Sequence, residues 1–173
     1  MVRTTELRAA RWEEFEHLDG REPLWRVAAA RMKARFEHLV PLSHETVAVL
    51  KALRGLPGAK VNGFLFPSPS RDGCMSNNTM LYALYRMGWH GRATIHGFRG
   101  VASTILNERG FPPDWIERQL AHDERDDVRG AYNSAQYLLG RRQMLQRRVD
   151  WLDEVKASGK VDVLIRRTRR DPA

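Results

Sequence analysis

The sequence is poor in cysteine: it contains one, Cys74, and no Cys-x-x-Cys pair. A single thiol cannot form an intrachain disulfide, and a cysteine-based zinc site needs several cysteines, so we expect a reducing compartment. Long apolar runs are also missing, since no stretch approaches the roughly eighteen residues that span a bilayer. The first residues lack the pattern of a secretory signal as well. These features together predict a cytoplasmic protein.

Positive charge is what the chain has in excess. Its 173 residues carry a formal net charge of +8, and its pI is near 10.2. A length of this order favours one domain with a sizeable core. A domain pI above about 9 is typical of proteins that bind nucleic acids. Charge alone does not decide the partner, because basic ribosomal and membrane-surface proteins have a similar balance.

One stretch, residues 94–132, concentrates side chains that can handle a phosphate group. Residues 94–99 open a predicted helix, and i,i+3 spacing places His96 and Arg99 on one face of it. Farther along, residues 114–120 form a short amphipathic segment that leads to His122. Tyr132 follows, and its hydroxyl is the candidate nucleophile.

Two glycines flank the His96 and Arg99 pair in the predicted helix. A glycine inside a helix costs roughly 1 kcal/mol relative to alanine. Gly97 and Gly100 therefore predict that another backbone or a ligand approaches this helix closely.

Five segments of the chain together resemble the catalytic domain of the tyrosine recombinases, and among these the prophage-type integrases. In chain order the segments are Val2-Arg3-Thr4-Thr5-Glu6-Leu7; Arg31-Met32-Lys33 with His38-Leu39-Val40-Pro41-Leu42-Ser43; His96-Gly97-Phe98-Arg99; Leu120-Ala121-His122; and Ala131-Tyr132-Asn133. One segment alone would be weak evidence, because His-x-x-Arg occurs often by chance. All five, in the order and approximate spacing of that family, make the resemblance specific, and they cover most of the chain.

The resemblance implies an active site and a reaction. The implied catalytic residues are Arg3, Lys33, His96, Arg99, His122 and Tyr132. The Tyr132 hydroxyl would attack a phosphodiester of double-stranded DNA to give a 3′-phosphotyrosine and a free 5′-hydroxyl. The 5′-hydroxyl of a second strand would reverse the step, so the reaction needs no ATP, cofactor or metal. The implied partners are DNA attachment sites and further protomers, in a tetramer on DNA.

The resemblance also implies a role for each catalytic side chain. Arg3 and Arg99 would bind the non-bridging oxygens of the phosphate, a task that guanidinium geometry fits better than ammonium. His122 would donate a further hydrogen bond to these oxygens. His96 would help a phenol of pKa about 10 to lose its proton. Lys33 would protonate the leaving 5′-oxygen. Without the resemblance, the same side chains would be interpreted as solvated, helix-ending or packing residues.

The chain enters its first matching segment at Arg3, without room for the helix start or loop that would lead into it. In the resembled family the catalytic domain follows one or two DNA-binding domains. We therefore interpret residues 1–173 as a single catalytic domain without these upstream domains, with a C-terminal helix and basic tail from about residue 137. The alternative is a frayed native terminus.

The residue pattern predicts a mixed α+β fold, mainly α-helical, with a small antiparallel β-sheet near the N-terminus. Lys33 lies in the connection between the last two predicted strands. The predicted strands are 12–16, 24–27 and 39–40, and the predicted helices are 6–11, from Ser43 to about Arg54, from Ser76 or Asn77 onward, and from Tyr137 to about Lys156.

The last predicted helix has two interpretations. Its leucines recur one heptad apart, and its arginines occupy other positions; the leucines are Leu138, Leu145 and Leu152, and the arginines are Arg141, Arg142, Arg147 and Arg148. The helix either docks on its own core with a solvated basic face, or contacts a neighbouring protomer, since members of the resembled family exchange C-terminal segments. Residues 161–165 are strand-like, and we expect 166–170 to be a disordered basic tail that contacts DNA.

Three other functions fit part of the pattern. A type IB topoisomerase would share the catalytic residues but would relax supercoils without strand exchange. A non-catalytic basic DNA-binding domain would form no covalent adduct. A metal-dependent nuclease would lose its activity in EDTA.

Overall fold

The computed structural model describes residues 1–33, 35–59, 61–122 and 136–159. The strands are β1 (Phe15–Glu16), β2 (Leu24–Val27) and β3 (His38–Pro41). The helices are α1 (Thr4–Arg8), α2 (His44–Arg54), α3 (Thr79–Arg86), α4 (Ile95–Glu108), α5 (Pro113–Leu120) and α6 (Leu138–Ser158). The prediction of a mixed, mainly helical fold with a small antiparallel sheet near the N-terminus is confirmed.

The three strands form one antiparallel sheet in the order β1-β2-β3. Trp25 of β2 pairs with Phe15 of β1, and the two rings stack with centroids 5.3 Å apart. The predicted strand from residue 12 is wrong in its first half, because residues 12–14 form a 3-10 turn. The Glu14 carboxylate accepts hydrogen bonds from the Arg11 backbone N–H at 3.1 Å and from Trp25 Nε1 at 3.0 Å. These bonds stabilise the turn, and only Phe15 and Glu16 pair with β2.

Apolar side chains form two clusters. One lies between the sheet and α2, and the other among α4, α5 and α6. Gly140 shows how closely the second cluster packs, because a Cβ atom at this position would lie 2.4 Å from the ring of Trp115. Only glycine lets the two helices approach so far. The helix α6 is therefore docked on its own chain, as one of its two interpretations predicted.

Two of the helices begin at side-chain caps, the predicted one at Ser43 and a second at Thr94, where a helix start was predicted without its cap. The Ser43 hydroxyl accepts a hydrogen bond from Thr46 N at 3.3 Å and begins α2. The Thr94 hydroxyl accepts one from Gly97 N at 2.9 Å and begins α4. Each bond satisfies an N–H that has no partner inside the helix. The helix α3 starts at Thr79, a little later than predicted.

Within the described residues, no other backbone approaches the glycines of α4 closely, and the predicted alternative of a closely approaching ligand stays a prediction. A Cβ atom at Gly97 would meet only the Thr94 hydroxyl, at 3.1 Å, and one at Gly100 would have open space around it. In the part of the chain that the structure describes, the tight glycine of this helical cluster is Gly140.

Arg141 of α6 is fully buried, which contradicts the prediction of a solvated basic face at this position. Its guanidinium donates to the side-chain oxygen of Gln119 on α5 at 2.9 and 3.1 Å, to the Leu39 carbonyl of β3 at 2.6 Å, and to the Gln136 carbonyl at 3.0 Å. These acceptors are neutral oxygens, so amide dipoles rather than an ion pair stabilise the charge. Through this side chain the sheet, α5 and α6 are joined.

Replacing Arg141 with alanine should destabilise the fold by about 3 kcal/mol or more. The substitution would leave the oxygens of Leu39, Gln119 and Gln136 without their donor, and an unsatisfied buried acceptor costs about 1–3 kcal/mol. The free energy of unfolding in urea measures the loss. The matched control is Arg142→Ala, which removes one hydrogen bond to the Pro23 carbonyl and should cost about 1 kcal/mol. Equal losses for the two variants would contradict the anchoring role of Arg141.

His38 of β3 lies against this cluster, with its Nε2 atom 3.4 Å from Nη2 of Arg141. Burial, and then the positive charge of Arg141, lower the pKa of His38 to about 3. The folded protein therefore keeps this imidazole neutral, whereas the unfolded chain protonates it below a pH of about 6.5.

Stability should consequently fall as the pH drops from about 6.5 toward 3, because the unfolded state then binds one more proton at this site. For one proton the loss is about 1.4 kcal/mol per pH unit. Urea unfolding at pH 6.5 and 5 tests it in a window above the titration of most carboxylates. His38→Gln should show a shallower slope, and substitution of the exposed His44 should not. If His38→Gln keeps the wild-type slope, His38 is not the group responsible.

Candidate active site

Arg3 and Arg99 meet at the C-terminal end of α5, although they lie far apart in the sequence. Arg99 donates through Nη2 to the Leu120 carbonyl, and Arg3 donates through Nη2 to the Ala121 carbonyl at 3.0 Å. Ala121 has φ 47° and ψ 45°, the left-handed conformation that ends a helix. The two guanidinium groups are therefore fixed on consecutive carbonyls.

Arg3 is positioned by the start of α1. Glu6 is only 2% exposed; one of its carboxylate oxygens accepts from the Arg3 backbone N–H at 2.7 Å and the other from Arg3 Nη1 at 3.1 Å. This carboxylate orients Arg3. Sequence reasoning gave Glu6 no role, although its i,i+3 spacing from Arg3 was a signal that could have identified it.

Arg99 is positioned by α4 and is 7% exposed. Besides Leu120 it donates to the Met1 carbonyl at 2.6 Å. Burial, and then the charge of the neighbouring Arg3, lower the pKa of Arg99. Because the charge of each arginine disfavours the charge of the other, an anion bound between them would offset this repulsion.

His122 follows directly on the residues that the arginines hold. Its Nδ1 atom lies 2.6 Å from a carboxylate oxygen of Glu117, one turn earlier on α5, and its backbone N–H donates to the Glu117 carbonyl at 3.2 Å. A carboxylate at Nδ1 fixes the ring and leaves Nε2 to act on a substrate, as a donor when the ring is protonated. Glu117 is a second residue that sequence reasoning missed.

The structure describes Lys33 and His96 as exposed side chains. Lys33 lies in the connection between β2 and β3, as predicted. His96 lies in the first turn of α4, three residues before Arg99. The two side chains do not share a face as predicted, because Arg99 points into the protein and His96 into solvent. Within the described residues, no hydrogen bond or ion pair joins either side chain to the two arginines. Their catalytic roles stay predictions.

Tyr132, the predicted nucleophile, lies outside the described residues. So do residues 161–170, where a strand-like segment and a basic tail were predicted. The site that the structure brings together therefore consists of Arg3, Arg99 and His122.

Within the described ranges, no group of three or more His, Cys, Asp or Glu residues is arranged to hold a metal ion. Nor is any helix in those ranges long and apolar enough to cross a membrane.

Comparison with known proteins shows the family to which this sequence is similar. The phage integrase family matches residues 1–138. Prophage integrase IntA of Escherichia coli K12 is 41% identical over 168 residues, covering 95% of this chain and 38% of that protein. The integrase of Shigella phage Sf6 is 38% identical, and the match covers 88% of this chain and 39% of that protein. The integrase of Enterobacteria phage P4 is 40% identical, and the match covers 88% of this chain and 37% of that protein.

The chain belongs to the phage integrase family. It spans a little under two fifths of the length of these curated relatives. No solved structure matches the chain significantly.

Proposed function

We propose that this chain is the catalytic domain of a site-specific DNA recombinase, an integrase that cleaves and rejoins DNA through a covalent 3′-phosphotyrosine at Tyr132. The observation that carries the proposal is the pair of arginines held side by side at the end of α5, next to His122. The names of the relatives, integrases of phages and prophages, support it.

The arginines bind the phosphate under attack. Negative charge grows on its non-bridging oxygens in the transition state, and prepositioned donors stabilise that charge most effectively. Arg3 and Arg99 already have their orientation fixed by backbone carbonyls, so binding the phosphate requires little reorganisation. A guanidinium has five N–H donors, so the bonds to the carbonyls leave others for the oxygens. His122, oriented by Glu117, adds a further donor.

Proton transfer is assigned to the remaining side chains. The Tyr132 phenol has an ordinary pKa of about 10 and needs help to lose its proton at neutral pH. His96 gives that help in this proposal, and Lys33 protonates the 5′-oxygen as it leaves. One phosphate ester replaces another at each step, so bond energy is conserved, and we propose that neither ATP nor a metal takes part.

The partners follow from the same chemistry. We propose that the chain acts on double-stranded DNA attachment sites together with other protomers, four of them on a pair of sites. Residues 1–173 would be the catalytic part of a longer protein whose other domains bind DNA. A type IB topoisomerase remains the second candidate, because it would use the same residues, and it would relax supercoiled DNA without strand exchange.

Replacing Tyr132 with phenylalanine should abolish a covalent protein–DNA adduct while leaving DNA binding nearly unchanged, because only the hydroxyl that bonds to phosphorus is removed. The adduct is detected by its resistance to denaturant after incubation with supercoiled DNA in EDTA. The matched control is Tyr137→Phe, at the residue that precedes α6, which should form the adduct at the wild-type level. An adduct that persists in Tyr132→Phe would overturn the assignment of the nucleophile.

A further inference from the structure

The sequence between Asp72 and Glu108 contains no aspartate or glutamate. This stretch includes α3, the start of α4 and the turn between them, which we name the Trp89 turn (residues 86–93). Its cations are Arg86, Arg92 and Arg99, accompanied by His90 and His96. Only Arg99 of the three arginines is buried. The others make this surface positive, and it leads directly into α4, the helix that holds Arg99.

The Trp89 turn is a fixed structure. Gly88 and Gly91 take φ values of 82° and 70°, a conformation that glycine adopts without strain. Trp89 N donates to the Leu84 carbonyl at 3.0 Å, and the N–H of Arg92 donates to the Trp89 carbonyl at 3.0 Å. The backbone of the turn therefore has a defined conformation, and Arg86, Trp89 and Arg92 are exposed on it.

Large aromatic and basic side chains are presented together on this turn. The Trp89 ring is 45% exposed, and the Arg92 guanidinium carbon lies 5.2 Å from its centroid. The rings of Tyr85 and His90 meet edge to face with centroids 4.3 Å apart. Arginine held over an aromatic ring keeps its charge while losing conformational freedom. Such a group is ready to bind a phosphate.

At the other end of α4, a second arginine stacks on a tryptophan of α6. This second pair provides an internal comparison. Arg109 lies 4.6 Å from the centroid of the Trp151 ring. Acidic residues adjoin this pair in the sequence, namely Glu108, Asp150, Asp153 and Glu154. The helix α4, which lies between the two pairs in the sequence, has 14 residues and is about 21 Å long. The two pairs share their geometry, but only the pair at the N-terminal end lies in a stretch without acidic residues.

We infer that the Trp89 turn is a contact surface for the sugar-phosphate backbone of duplex DNA, with Arg86 and Arg92 on phosphates and the exposed face of Trp89 against the adjoining sugar. Charge complementarity selects this partner: the stretch 73–107 to which the turn belongs contains no acidic residue, and the positive end of the α4 dipole follows the turn. The inference rests on the proposed function, because it assumes that the chain acts on duplex DNA. It adds a place where the protein contacts DNA away from the reacting phosphate.

The test is the salt dependence of binding to a fluorescent DNA duplex, measured by anisotropy at several sodium chloride concentrations. For duplex DNA the slope of log K against log salt changes by about 0.9 for each phosphate that the protein no longer neutralises. Arg92→Gln should lower the slope by about 0.9, and Arg86→Gln with Arg92→Gln by about 1.8. Arg92→Lys should keep the slope, because the charge remains. The control Arg109→Gln should leave slope and affinity unchanged.

Several results would overturn the inference. These are a wild-type slope in Arg92→Gln, an equal loss in Arg109→Gln, or a Trp89→Ala variant that changes self-association without changing DNA affinity. The last would identify the turn as a contact between protomers. Absence of any duplex binding by the wild type at low salt would also overturn it. The proposed function is tested separately by the Tyr132-dependent adduct, so a persistent adduct with an unchanged Arg92→Gln slope would reject this surface alone.

Discussion

The site depends on the hydrogen bonds that the negative, C-terminal end of α5 accepts from Arg3 and Arg99. The last carbonyls of a helix have no partners within it and carry a partial negative charge. Here those of Leu120 and Ala121 accept from Arg99 and Arg3. Two guanidinium groups that repel each other are thereby held together. Glu6 and the Met1 carbonyl add further contacts to the two side chains, but only the helix end binds both.

The same turn of α5 ties the site to the rest of the fold. Glu117 orients His122, and the side chain of Gln119 accepts two hydrogen bonds from Arg141. Through Arg141 the turn is connected to β3 and to the start of α6. The position of Arg3 and Arg99 therefore depends on buried polar contacts as well as on the two apolar clusters. A change in this network should alter the orientation of the two arginines, which we propose bind phosphate, as well as stability.

Much of this was accessible from the sequence, because local rules governed it. The residue pattern predicted β2, β3 and the start of α4, and the capping residue Ser43 predicted the start of α2. The family resemblance implied one site for Arg3, Arg99 and His122, and their catalytic roles stay predictions. The strand predicted at residues 12–14 failed for a local reason, the bond between Arg11 and Glu14, whereas the burial of Arg141 depends on long-range contacts. Arginine is rarely buried, so a helical pattern gives no sign that Arg141 faces the core, where contacts from β3 and α5 hold it.

The roles of Glu6 and Glu117 were missed for a related reason. The i,i+3 spacing could have suggested a pair of Arg3 and Glu6. An acidic residue three or five positions from a basic one is nevertheless common in any charged sequence, and spacing alone does not show which carboxylate is buried. The close packing expected at Gly97 and Gly100 was likewise drawn from spacing. Among the described residues such packing occurs at Gly140 instead, because the large ring of Trp115 lies across from it.

If Arg3 and Arg99 neutralise charge on the reacting phosphate, as we propose, the effect of Arg99→Ala should depend on that charge. The decisive measurement compares adduct formation by the wild type and by Arg99→Ala on DNA in which a methyl group replaces one charged non-bridging oxygen of that phosphate. On ordinary DNA the loss of one such charge-stabilising group should slow the step by roughly a hundredfold to a thousandfold. On the neutral substrate most of this difference should disappear, because the charge that Arg99 balances is gone. An equal defect on both substrates would show that Arg99 acts by holding the fold rather than by binding the phosphate charge.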